Sequence, residues 1–137
     1  MNRPSVAILS ILAGAISSLT SLSSLAQTTQ KTISPGFQPM ELTGTSGGPT
    51  AGDCGNLAAA PNVRLTVTAD TSIHFRLQSS GNPTLKIDGP QDFDLCVPAH
   101  DGSTVEIPGQ WPPGEYQIFV GDLEGGSHGY TLKISEQ

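Results

Sequence analysis

Val63-Arg64-Leu65-Thr66-Val67-Thr68-Ala69-Asp70-Thr71-Ser72-Ile73-His74-Phe75-Arg76-Leu77-Gln78 decides the fold class. Val63, Leu65 and Val67 alternate with Arg64, Thr66 and Thr68, and Ile73, Phe75 and Leu77 alternate with His74, Arg76 and Gln78. Successive side chains on a strand point to opposite faces, so a period of two places one set in a core and the other in water. The link Ala69-Asp70-Thr71-Ser72 is rich in turn formers and predicts that the two strands pair as a hairpin. The same period recurs downstream. Leu85 and Ile87 face in over Thr84–Asp88, and Phe93, Leu95 and Val97 do so over Asp92–Val97. Val105 and Ile107 make a short piece, Tyr116, Ile118 and Val120 alternate over Glu115–Gly121, and Tyr130, Leu132 and Ile134 close the series.

Upstream, Phe37–Thr43 reads as a first short strand, with Phe37 and Leu42 as its apolar residues. The segment Gly44–Asp53 is glycine-rich, has no periodicity and leads into Cys54, so it reads as a loop. The count is about eight strands separated by Gly, Pro, Asn or Asp, the spacing of an all-β sandwich. No stretch after residue 26 carries a helical apolar stripe, and 16 Gly and 11 Pro suit a turn-dense β protein. Short links favour two antiparallel sheets over crossover connections.

The first 26 residues read differently. Arg3 is followed by an apolar run of 11 residues, Val6–Ile16, then by a Ser-rich stretch ending in Ser24-Leu25-Ala26. This is the pattern of a secretory signal cleaved before Gln27. The apolar run is too short for the roughly 20 residues that span a bilayer, so no membrane span is expected once Met1–Ala26 is removed. No Cys lies near the cleavage point, which argues against a lipid anchor. Residues 27–35 are polar and read as a flexible N-terminal segment, and residues 36–137 as one β-sandwich domain.

Removal of the signal takes away Arg3 alone among the charged residues and moves the net charge from −6 to −7. An acidic chain has no electrostatic footprint for nucleic acid or an anionic lipid surface. Cys54 and Cys96 are the two cysteines. In an exported chain they most simply form one disulfide, whereas neither has a Cys or His at the short spacing of a zinc site.

The second half of the chain resembles the bacterial pre-peptidase C-terminal domain and the small exported proteins built on it. The residues that carry the resemblance are Ser79-Ser80-Gly81-Asn82-Pro83-Thr84-Leu85-Lys86-Ile87-Asp88-Gly89-Pro90, Cys96, Ile107-Pro108-Gly109-Gln110-Trp111, Pro113-Gly114-Glu115-Tyr116-Gln117-Ile118-Phe119-Val120-Gly121 and Tyr130-Thr131-Leu132-Lys133-Ile134. Ser46-Gly47-Gly48 and Cys54-Gly55 stand upstream, and the whole covers roughly Gly36–Glu136. The resemblance implies a jelly-roll-like sandwich in an accessory, non-catalytic role, with calcium or matrix polymers bound in some members. Many relatives carry an acidic pair directly after the second Cys, where this chain has Val97-Pro98-Ala99-His100-Asp101.

Several residues are candidates for chemistry. Asp88, Asp92, Asp94 and Asp101 cluster in sequence, with Asp122 in another loop. Calcium takes six to eight oxygens, so these carboxylates are the candidate calcium ligands, provided that they converge; the alternative is solvated loop charge. His74, His100 and His128 are too scattered to suggest zinc. Trp111, held between Gln110 and Pro112-Pro113, is either a binding platform or a lid over the end of the core. Gly44-Thr45-Ser46-Gly47-Gly48 has a serine in a glycine loop, but Thr precedes it and every His follows it, so a chymotrypsin-like protease is rejected. The expectation is a secreted or periplasmic, non-catalytic β-sandwich whose partner is an extracytoplasmic protein or polysaccharide. A calcium-binding accessory domain is the alternative, and a small hydrolase or inhibitor comes third.

Overall fold

The computed structural model describes residue 14, residues 28–100 and residues 102–137. The expected signal therefore lies outside the described residues apart from Gly14, and so does Asp101. Eleven strands run in order: β1 (Thr29–Ile33), β2 (Met40–Thr45), β3 (Thr50–Gly52), β4 (Gly55–Leu57), β5 (Val63–Val67), β6 (Thr71–Ser79), β7 (Pro83–Asp88), β8 (Asp94–Pro98), β9 (Thr104–Trp111), β10 (Gly114–Asp122) and β11 (Gly129–Glu136). They form a sheet of seven strands and a sheet of four, packed face to face as the expected sandwich. Cys54 and Cys96 form the expected disulfide.

β10 is the spine of the larger sheet. Its first half pairs with β5, its second half pairs with β7, and Asp122 at its end pairs with Asn56 of β4. β8 extends the sheet beyond β7, and β3 extends it beyond β4. The smaller sheet runs β2-β11-β6-β9, so β9 is an outer strand and carries Pro108 within its length. Leu65, Leu85, Ile87, Ile118 and Val120 from one sheet meet Ile73, Phe75, Leu77, Leu132 and Ile134 from the other, all at 0% exposure. These are the residues whose alternation marked them as inward.

Three expectations are corrected. β5 and β6 do not pair as a hairpin: β5 lies in the seven-strand sheet and β6 in the four-strand sheet. Alternation says that both strands have a buried face, but it is silent on whether they share a sheet. Here Thr68–Asp70 carries the chain across the core, held by Thr68 Oγ1 donating to the Ile33 carbonyl and Thr71 Oγ1 donating to that of Ala69. Second, residues 27–35 are not a loose leader throughout, because Thr29–Ile33 is β1, joined to β5 in the one parallel ladder among the described residues. Its single anchor is Ile33, which is 2% exposed. Third, the first apolar strand begins at Met40, not Phe37. Phe37 closes a turn through its N–H to the Ser34 carbonyl, and Pro39 has no N–H to pair.

Candidate functional site

The two ends of β10 are built from opposite materials. At the Asp122 end the glycine motifs meet around one fully buried carboxylate. Asp122 Oδ2 lies 2.8 Å from His128 Nδ1, and Oδ1 accepts the Glu124 N–H at 2.9 Å. Asn56 Nδ2 donates to the Asp122 carbonyl, and Thr84 Oγ1 donates to that of Cys54 at 2.7 Å. Gly81 covers the pair so closely that a methyl there would fall 2.4 Å from His128 Nδ1, and its position is one that only hydrogen fits. Ser46 joins the group, but its Oγ accepts the main-chain N–H of His128 at 3.2 Å, and the residue is 1% exposed. A serine nucleophile needs its hydroxyl on the imidazole and open to substrate. The arrangement is a polar knot that ties four chain segments together.

Of the candidate calcium ligands, Asp88, Asp92 and Asp94 do not gather there, and Asp101 lies outside the described residues. Asp88 and Asp94 face each other across the β7–β8 ladder, and both accept from Lys86 Nζ at 2.7 Å. The place where two carboxylates converge is thus filled by an ammonium. The Lys86 bond and charge hold the Asp94 carboxyl below its ordinary value. Burial pulls the Lys86 ammonium down, but its bonds to Asp88 and Asp94 outweigh burial and leave it raised. Asp92 is exposed on the turn beyond β7. Asp122 is at the far end of the β7–β10 ladder, opposite Pro83, whereas Asp88 is opposite Gln117. Among the described residues no group of three His, Cys, Asp or Glu side chains is close enough to share a metal ion.

The other end of β10 is apolar and open. A cavity of about 490 Å³ is bounded there by Pro90, Phe93, Ile107, Trp111, Pro113 and Tyr116. This is within the 300–1,000 Å³ of small-ligand sites. Trp111 is 5% exposed and is met edge to face by three rings, with centroids at 5.1 Å for Phe75, 5.2 Å for Tyr116 and 5.5 Å for Phe93. Such T-shaped contacts suit the ring quadrupoles and fix all four side chains. Trp111 is therefore a wall of the cavity, with its faces already enclosed. The ring left open to solvent is Phe93, at 39% exposure.

Phe93 is held out by its turn. Gln91 and Asp92, the central residues of Pro90–Phe93, have φ of 58° and 59°, the signs of a type I′ turn without its usual glycine. Left-handed backbone costs about 1–2 kcal/mol per non-glycine residue, and such strain collects at binding sites. The Phe93 N–H donates to the Pro90 carbonyl, and the Gly89 N–H donates to that of Phe93 at 2.8 Å. Tyr116 donates its O–H to the Pro112 carbonyl at 2.7 Å. Burial, with a smaller part from the Asp70 charge, keeps that phenol above its ordinary value.

One donor here is unmet. The Trp111 Nε1–H is buried and has no hydrogen-bond partner among the described residues. Beside it is Gly109, which occupies the inward phase of β9 between Ile107 and Trp111 but has no side chain to place there. A methyl carbon on Gly109 would meet Trp111 Nε1 at 3.6 Å and, outside the adjoining residues, no other heavy atom within 4 Å. The vacancy of one glycine thus opens beside an unsatisfied indole. Sequence reading singled out Trp111 but missed Phe93, which it set in the core phase of a strand, and Gly109, whose only signal was an interrupted Val105-Ile107-Trp111 alternation.

No family model matches the chain. An uncharacterized protein of Synechococcus elongatus is 37% identical over 101 residues, which are 70% of this chain and 75% of that one. The pre-peptidase C-terminal domain of a Bacillus anthracis collagenase superposes with a TM-score of 0.56 at 15% identity, covering 80% of this chain and 95% of that one. A periplasmic inhibitor of g-type lysozyme from Aeromonas hydrophila aligns with a TM-score of 0.44 at 16% identity, over 81% and 100%. The expected resemblance to the pre-peptidase C-terminal domain holds at the level of fold.

Proposed function

This chain belongs to the family of the Synechococcus elongatus protein, and we propose that it is a non-catalytic β-sandwich module that binds an extracytoplasmic protein or polymer through the aromatic end cavity. The observation that carries the reading is Phe93, an exposed apolar ring held by a strained turn over a preformed cavity. Large exposed rings cost solubility, and rigid aromatics are the usual anchors of binding surfaces. The disulfide supports an oxidising compartment, and the signal expected over residues 1–26 agrees with it. The enclosed hydroxyl of Ser46 supports a role without a nucleophile. The calcium reading has less support, because the Lys86 ammonium already sits between Asp88 and Asp94 and offsets one of their two charges.

Cosedimentation of the oxidised protein with purified envelope material tests the reading. Wild type is expected in the pellet, and Phe93→Ser, a change at an exposed position, is expected to lower recovery about tenfold, the weight of one good anchor. Equal recovery of the two proteins, or none of either, would overturn it.

A further inference from the structure

Building on the module reading, the geometry points to a specific occupant of the aromatic end cavity: an extended, proline-bearing peptide with basic flanks, one of whose carbonyls accepts the Trp111 Nε1–H through the opening at Gly109. Three observations carry this. The first is the donor. A buried N–H without a partner costs stability until an acceptor arrives. Nε1 is bordered by a vacancy large enough for an added atom, and the vacancy belongs to the cavity lining. The ligand must therefore bring an oxygen acceptor within reach of an apolar surface. Prolyl peptides do so, because each residue has a carbonyl and the ring removes the N–H that would otherwise enter the pocket unpaired.

The second is the lining. Trp111, Tyr116 and Phe93 form a groove stiffened by Pro90, Pro112 and Pro113, and the lining has no charged residue among the described residues. Aromatic grooves of this kind suit the polyproline conformation, whose ordering entropy is already small. A sugar needs several polar partners, and the polar side chains of the lining, beyond the indole and the Tyr116 hydroxyl, are Gln91 and Gln110.

The third is the rim. Asp92 is in the strained turn next to Phe93, and Asp70 precedes Thr71, the ladder partner of Trp111. Both are exposed, and neither makes a salt bridge among the described residues. The rim is therefore negative, which steers basic flanks toward it.

Trp111 is the single tryptophan of the chain, so the protein gives one indole N–H resonance and that resonance reports on the site. The probe is a blocked peptide of Pro-Pro-Leu triplets with arginine at each end, titrated into the ¹⁵N-labelled oxidised protein. The indole proton is expected to move downfield and saturate. A peptide with alanine for proline keeps its carbonyls but loses preorganisation and adds N–H groups to desolvate, and is expected to bind about tenfold more weakly. Gly109→Val fills the vacancy and is expected to abolish the displacement while the remaining spectrum keeps its dispersion. Asp70→Asn with Asp92→Asn leaves the core untouched and is expected to weaken binding and flatten its salt dependence. An unmoved indole, equal affinity for the alanine peptide, a displacement by a neutral oligosaccharide in place of the peptide, or full affinity in either variant would overturn the inference. Envelope binding that depends on Phe93, together with an indole unmoved by the peptide, would sink this inference and leave the module reading standing. Loss of both would sink both.

Discussion

At the scale of single residues, two sites use backbone and charge against the local rules and do so at opposite ends of one strand. Asp122 is a carboxylate at 0% exposure whose two oxygens are both engaged, one by His128 and one by the Glu124 N–H. Removing one partner of a buried pair leaves the other unpaired, so Asp122→Ala is expected to cost about 3 kcal/mol, read as a lower urea midpoint at unchanged slope. Gln91 and Asp92 pay a conformational cost for the position of Phe93. Replacing them with the preferred type I′ pair, Gln91→Asn with Asp92→Gly, is expected to raise stability by about 1 kcal/mol in the same measurement. Neither role was readable from residue type. The sequence placed Asp122 among loop acids, because an aspartate looks the same whether it is solvated or sunk beneath Gly81. Gln-Asp carries none of the turn signal that Asn-Gly would.

At the scale of elements, legibility followed the source of each strand's stability. β5, β6, β7, β10 and β11 each bring three or more inward apolar residues or sit centrally between neighbours, and alternation found all of them. β1, β3 and β4 escaped. β1 has Ile33 alone to bury, and the three residues of β3 are all exposed. These strands exist because a neighbour offers free backbone groups, which is tertiary information. The β3–β4 pair meets β10 at a single position, Asn56 opposite Asp122, so the disulfide from Cys54 to Cys96 of β8 does much of the holding. It closes a loop with a sequence separation of 42 residues. By chain entropy, replacing Cys54 and Cys96 together with serine is expected to cost about 4 kcal/mol in urea unfolding. Amide exchange should quicken first in residues 50–57.

At the scale of the whole molecule, shifted groups bound a pH window. The Asp94 carboxyl is depressed, so its contribution is present above the ordinary carboxylate value and fades as pH falls through the lower folded value. Lys86, Tyr116 and Tyr130 are raised, the tyrosines chiefly by burial, so their contributions hold below their ordinary values near 10 and fade as pH rises through the folded ones. A plateau in the urea midpoint from about pH 5 to pH 9 is expected, with a decline on either side, and Lys86→Met should soften the acid limb. Two-sheet architecture was legible at this scale, since patterning and turn density admit few alternatives, whereas the sheet in which each strand lies was not. The outer position of β9 has a final consequence. Pro108 interrupts the row of amides that this rim would otherwise present, so another chain cannot extend the four-strand sheet past its midpoint. Edge-on stacking of copies from that side is therefore disfavoured by one imino acid, and the neighbouring Gly109 leaves the flank of the strand open.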